Sequence, residues 1–253
     1  MAFSKLQLLT KEIRSCTQCV HQLPFKPNPI VRPSSKAKIL ITGQAPGTKV
    51  HETSISWNDA SGDKLRKWMG IDRETFYDDN KIAVMPMGFC YPGKGKSGDL
   101  PPRPECAPMW HPQLIELMPQ IELTLLIGMY AQKYYLQSEK KKNLTETVRS
   151  WRQYSPHYLP MPHPSPRNQL WLKRNAWFEL DVVPVLRKSD IKFKRPAQSK
   201  IVANATIDGD TKLKFENQFE RKGRAPISVQ VEITDHEGTI TMSGTYEWFI
   251  QKL

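Results

Sequence analysis

The chain has 253 residues, a length that suits one large domain or one domain with a smaller companion. No run of about 18 apolar residues reads as a membrane span, and Met1-Ala2-Phe3-Ser4-Lys5-Leu6 lacks the layout of a signal peptide, so a cytoplasmic protein with no membrane partner is expected. Net charge is +12; from Arg195 to Leu253 eight Lys and Arg balance eight Asp and Glu, so the whole excess lies in residues 1–194 and implies a polyanionic partner for that part alone.

Leu6, Leu9 and Ile13 are spaced as one face of a helix that ends near Arg14, just before Cys16-Thr17-Gln18-Cys19. A Pro-rich extended segment leads to a first strand, Lys38 to Thr42, and the loop Gly43-Gln44-Ala45-Pro46-Gly47. A polar stretch to Asp59 follows, then a helix capped by Ser61 and stopped by Gly70. Ile82 to Met85 is a second strand, and Tyr91 to Pro104 a Gly/Pro/Lys-rich loop. Ala107 to Met118 reads as a helix interrupted by Pro112. Leu123 to Gly128 is a third strand with a helix after it to Leu136, and Leu144 to Tyr154 another helix. Tyr158 to Met161 is the fourth strand, followed by Pro162-His163-Pro164-Ser165-Pro166-Arg167-Asn168 and a last helix over Asn175 to Arg187.

Strands alternating with helices predict an α/β fold: a three-layer sandwich around a central four-stranded, mainly parallel sheet. The first domain is expected over residues 1–190, with a linker at 191–198 in which Lys192 to Pro196 is basic and ends in proline. Residues 199–253 then alternate apolar and polar positions, and Asp208-Gly209-Asp210 and Asp235-His236-Glu237-Gly238 read as hairpin turns. This predicts a small C-terminal antiparallel β segment. Gly223-Arg224-Ala225 and Gly244-Thr245-Tyr246-Glu247-Trp248 resemble part of a hotdog-fold, thioesterase-like domain with its central helix missing. Half of such a sheet cannot bury itself, so self-association or packing on the first domain is expected. An acyl-thioester-binding role through this tail is one alternative function, and the missing helix argues against it.

The two loops that follow the first and fourth strands carry the chemistry. In an open α/β sheet the ligand crevice forms at the carboxyl ends of the strands. Glycines let a ligand approach the backbone, and a histidine between two prolines has little freedom, which suits a donor of one directed hydrogen bond. Four cysteines stand apart from these loops: Cys16, Cys19, Cys90 and Cys106. No disulfide is expected in a cytosolic chain. Four thiolates suit zinc or an iron–sulfur cluster, and spacing alone does not separate the two.

The loop pair resembles the two motifs of the uracil-DNA glycosylase superfamily, a Gly-(Gln/Glu)-x-Pro loop after the first strand and a His-Pro-Ser-Pro loop after the last. The cysteine layout, with Cys90-Tyr91-Pro92 and the run from Pro101 to Cys106, is similar to that of the iron–sulfur, family 4-like members. The resemblance implies a [4Fe–4S] cluster on the four cysteines, with zinc as the alternative. It also implies an enzyme that acts on DNA containing uracil or another deaminated base, hydrolyses the N-glycosidic bond of a flipped nucleotide and leaves an abasic site. His163 would donate to the departing base. Trp57 falls where such members have a stacking Phe. Gly43, Gln44, Ala45, Pro46 and Gly47 would line the pocket, and Ser165, Arg167 and Asn168 would face the DNA, with Arg167 or Leu170 as wedge. Lys94, Lys96 and Arg103 would grip phosphates.

Two departures bear on mechanism. Ala45 replaces a water-activating Asp found in some relatives, and Gln44 replaces a Glu, so the first motif has no carboxylate. His51, Glu52, Asp59 and Asp63 follow it and are candidates to position water. Pro86 stands where relatives read uracil with Asn, which leaves Met87 and Gly88 as backbone substitutes. A catalytically weak nucleic-acid-binding protein is therefore the rival function.

Overall fold

Four apolar runs form one parallel sheet: β1 (Ile39–Thr42), β2 (Ile82–Val84), β5 (Leu123–Ile127) and β6 (Tyr158–Met161), in the order β2-β1-β5-β6. The computed structural model describes residues 4–96, 98–183, 190–193, 202–234 and 240–251. Ile39 pairs with Ile82 on one side and with Leu123 on the other, and Leu125 pairs with Leu159. Beyond its first residue every strand is buried throughout, which is why the runs read as continuously apolar instead of alternating. Leu40 and Ala83 meet Leu9 and Ile13 of α1 (Lys5–Arg14) and Trp110 and Leu114 of α5 (Cys106–Glu116). Ser4 and Gln7 close a capping box at the start of α1, satisfying N–H groups that would otherwise be unpaired. A small hairpin, β3 (Lys94–Gly95) and β4 (Gly98–Asp99), rises from the loop after β2.

Several local expectations are corrected. The stretch after the first motif is not merely polar loop but holds α2 (Thr48–Thr53). Helix α3 (Ala60–Met69) is capped by Asp59, whose Oδ1 accepts the Gly62 N–H at 2.8 Å; Ser61 lies inside it. A further short helix, α4 (Arg73–Tyr77), precedes β2. Pro112 does not interrupt α5. Burial of Trp110 and Leu114 on either side of it offsets the roughly 3 kcal/mol cost of an internal proline. After α6 (Met129–Leu136), α7 (Leu144–Arg149) stops five residues earlier than its pattern suggested. The last helix begins sooner, as α8 (Gln169–Arg174), followed by a π turn at Phe178–Val182; the end of the expected helix, 184–187, lies outside the described residues.

The chain divides into two compact units, Met1–Lys67 with Ile71–Phe178, and Trp68–Gly70 with Glu179–Leu253. The second unit holds an antiparallel sheet of β7 (Asp190–Phe193), β8 (Val202–Thr206), β9 (Arg224–Thr234) and β10 (Ile240–Gln251), ordered β7-β10-β9-β8. Strand β7 lies largely within the stretch read as a linker, whose remainder is outside the described residues. The expected turn at Asp208-Gly209-Asp210 is instead the start of α9 (Gly209–Lys222). Asp208 accepts the Thr211 N–H at 2.8 Å, and Gly223, at φ 65°, ends the helix. Asp-Gly serves a turn and a helix cap equally well. The helix expected to be missing from the tail is therefore present, and the argument drawn from its absence falls. The expected turn over 235–238 lies outside the described residues. Among the described residues no helix is long and apolar enough to cross a membrane.

Candidate active site

From β1 the chain passes to β2 on one side of the sheet, and later to β5 and β6 on the other. At such a reversal the carboxyl ends of the strands open a crevice. A cleft of about 630 Å³ lies there, lined by residues 43–50, by Trp57, Asp59 and Pro86, and by His163, Ser165, Arg167 and Asn168. Both motif loops thus meet, although more than a hundred residues separate them. The first is held by backbone: the Met87 and Gly88 N–H groups donate to the Gly43 and Gln44 carbonyls at 2.8 and 3.0 Å. Met87 is buried, and neither it nor Gly88 lines the cleft. Their N–H groups brace the motif and are not presented to a ligand.

His163 is held from three sides. Gly128 N–H and the buried Gln132 Nε2 both donate to the Met161 carbonyl, at 2.9 and 3.0 Å, which fixes the end of β6. Asn168 Nδ2 donates to the His163 carbonyl at 2.8 Å. The Ser165 N–H donates to His163 Nδ1 at 3.2 Å. A ring nitrogen that accepts a hydrogen bond carries no proton, so the neutral ring bears its hydrogen on Nε2. Burial lowers the imidazole pKa below 6.5, although Asp59 and Asp99 pull the other way. Neutral His163 with an Nε2–H donor is the resting state at neutral pH.

Trp57 stands beside it, the rings 5.7 Å apart and inclined at 28°. A base between them would need about twice the ~3.5 Å contact distance, so in this arrangement it would have to meet one outer face of the pair. Trp57 has φ 57°, a left-handed conformation that costs a bulky residue about 1–3 kcal/mol and persists where the surroundings enforce it. The enforcement is visible. Arg66 Nη1 donates to the Trp57 carbonyl at 3.2 Å; a Cβ on Gly62 would collide with that carbonyl, and one on Gly43 would lie 2.9 Å from Trp57 Cζ2.

The carboxylates sort clearly. Asp59 lines the cleft. Glu52 is exposed and His51 packs on Phe25 and Tyr91, at 5.3 and 5.9 Å between rings; both lie on α2 and neither lines the cleft. Asp63 is paired with Arg66 at 2.6 Å. Asp99, which sequence reasoning passed over, lines the cleft from the hairpin, as does Lys94. Arg103 does not face the cleft. It pairs with Glu105 at 2.8 Å and lines the cysteine cavity.

The four cysteines surround one small cavity walled by Leu23, Pro27, Pro29, Phe89 and Trp110. Burial pushes Cys90 up to about 11 and Cys106 up to about 12, and raises Cys19, with Glu105 adding to the last. One donor is directed at sulfur, the Phe89 N–H to Cys106 Sγ at 3.4 Å, and the Asn28 backbone and the Arg103 side chain pull Cys90 and Cys19 the other way. Four half-buried thiols around one cavity, one of them met by a backbone N–H, are a donor set that fits a thiolate-bound metal centre. Among the described residues, no three His, Cys, Asp or Glu side chains are grouped so as to hold a single metal ion.

A family model described as Uracil DNA glycosylase superfamily matches residues 31–187, which include both motif loops, Trp57, Asp99 and two of the four cysteines. Among solved structures, the chain is similar over 30% of its length to a Pseudomonas aeruginosa protein of unknown function, titled a probable thioesterase, at 20% identity and a TM-score of 0.23. The match spans 62% of that protein, and a likeness of this degree carries no argument.

Proposed function

The chain belongs to the uracil DNA glycosylase superfamily, and we propose that it excises uracil or another deaminated base from DNA and leaves an abasic site. The observation that carries this reading is the Ser165 N–H on His163 Nδ1, which leaves an Nε2–H donor beside Trp57 in the cleft. In the reaction the target nucleotide leaves the stack and enters the cleft. The N-glycosidic bond breaks as the base departs with the electron pair, and the His163 donor stabilises the negative charge growing on a base carbonyl. Because that donor is neutral and its orientation fixed beforehand, it needs no reorganisation during the reaction.

Base identity follows from what the cleft offers. Pro86 lines it and has no N–H, and the next two N–H groups are spent on the first motif. This supports recognition of a class of deaminated bases through a carbonyl over strict reading of uracil. On the DNA side, Lys49 and Lys94 line the cleft, and Leu170, 69% exposed on α8, is the apolar side chain suited to fill the vacated stack.

We further propose that Cys16, Cys19, Cys90 and Cys106 hold a [4Fe–4S] cluster with a structural role, tying α1 to the loop after β2. This reading draws on four thiols gathered around one cavity, with zinc as the alternative occupant. The rival reading, a nucleic-acid-binding protein with little catalysis, draws on Ala45, which leaves the first motif without a carboxylate. The test is incubation with single strands carrying uracil, hypoxanthine or xanthine, then alkali. Strand cleavage with at least one is expected; DNA binding without cleavage of any would support the rival.

A further inference from the structure

Among the described residues two carboxylates line the cleft, and they are not equivalent. Asp59 is committed to α3, with Oδ1 accepting the Gly62 N–H. Asp99 comes from the hairpin, and its Oδ2 lies 3.4 Å from where a Cβ on Gly47 would stand, against the glycine that closes the first motif. The hairpin is fixed to both motifs. Gln44 Nε2 donates to the Leu100 carbonyl at 3.1 Å, and the Leu100 N–H closes the hairpin base onto Gly93 at 2.8 Å. On the other side Gly98, at φ 147°, lies so close under Arg167 that an added Cβ would collide with its guanidinium. The hairpin is thus clasped between the two loops that carry the chemistry, and the residue at its end is an acid.

We propose that Asp99 is a catalytic carboxylate of the glycosylase reaction, holding the attacking water and taking its proton. This rests on the glycosylase reading above. As the bond from the sugar C1′ to the base nitrogen breaks and the base leaves with the electron pair, the water oxygen forms its bond to C1′. One water proton passes to the Asp99 carboxylate and then to solvent, while the base anion, held by His163, takes a proton from solvent on release. Gln44 is then a positioning residue that acts through the hairpin. Its carboxamide explains how the first motif can lack a carboxylate and still govern one.

The test uses the full-length protein, a uracil- or hypoxanthine-containing strand that the parent cleaves, and single-turnover base release measured beside DNA affinity. Asp99→Asn keeps the shape and removes the charge. It is expected to slow base release about a hundredfold while affinity holds or tightens, because an anion has been removed from a surface that meets phosphates. Gln44→Ala is expected to slow the parent about tenfold and to add nothing in the Asp99→Asn background, since both act through one group. If Asp99→Asn releases base within threefold of the parent, or if the loss appears in Asp59→Asn instead, the assignment is overturned and the glycosylase reading stands. A parent protein that releases no deaminated base overturns both, so the two failures are distinguishable.

Discussion

The cleft and the cysteine cavity share one loop and use it in opposite ways. Residues 86–89 follow β2. Pro86 faces the cleft, the Met87 and Gly88 N–H groups hold the first motif, and the Phe89 N–H turns the other way to Cys106 Sγ. In both places burial disfavours the charged form. In the cleft it keeps His163 neutral, which is a ready hydrogen-bond donor. In the cavity it raises Cys19, Cys90 and Cys106, the last up to about 12, so the neutral thiol is favoured at those three. The same desolvation gives a neutral hydrogen-bond donor in one region and thiols that resist ionisation in the other.

Loss of one cysteine from the cavity is expected to have the largest consequence. Cys106→Ser should remove the proposed cluster and cost about 5 kcal/mol or more, enough to abolish cooperative folding. Anaerobic purification with iron and sulfide analysis, followed by a thermal melt, checks it. A variant that keeps both iron and its transition would mean the cavity needs no cation.

A middle-sized effect tests the shared loop. His111 Nε2 donates to the Pro86 carbonyl at 3.0 Å, and Nδ1 is 2.7 Å from the Tyr135 hydroxyl. Burial lowers its pKa to about 4 from 6.5. The unfolded chain therefore binds this proton first as pH falls, so the native state is fully favoured above about 6.5 and loses about 3 kcal/mol by pH 4. Denaturant melts across that window should fall steeply for the parent and more gently for His111→Gln. Parallel curves would place the acid sensitivity elsewhere.

The smallest effect sharpens the cleft side alone. Gly43→Ala puts a Cβ 2.9 Å from Trp57 Cζ2. Displacing the ring should slow base release about tenfold, or about 1.4 kcal/mol, and leave the metal content unchanged. An unaffected rate would mean that Trp57 does not set the position of the base.

How much of this was legible in sequence depends on the range of the forces involved. The four strands were readable because a parallel sheet buries both faces and leaves nearly continuous apolar runs, such as Leu123 to Ile127 with Thr124 alone polar. The two motif loops were readable because Gly and Pro mark rigid turns locally, and the four cysteines by their spacing. Asp99 was not, because two-residue strands leave no periodic signal and its neighbour Gly47 is far away in sequence. His51 and Glu52 sat close enough to the first motif to look like site residues. Only the turn of α2 reveals that His51 packs on Phe25 and Tyr91. Met87 and Gly88 were plausible readers of a base until their N–H groups were found already spent. The start of α9 was hidden because Asp208-Gly209 fits a hairpin turn as well as a helix cap.

The central claim is that a neutral His163, its Nδ1 occupied by the Ser165 N–H, presents Nε2–H to the departing base. Single-turnover base release by His163→Ala, measured beside DNA affinity, tests it most directly. The rate is expected to fall by about a hundred- to thousandfold, equivalent to about 3–4 kcal/mol, with affinity within a few-fold of the parent because phosphate contacts dominate binding. A His163→Ala protein that releases base at the parent rate while holding DNA normally would contradict it.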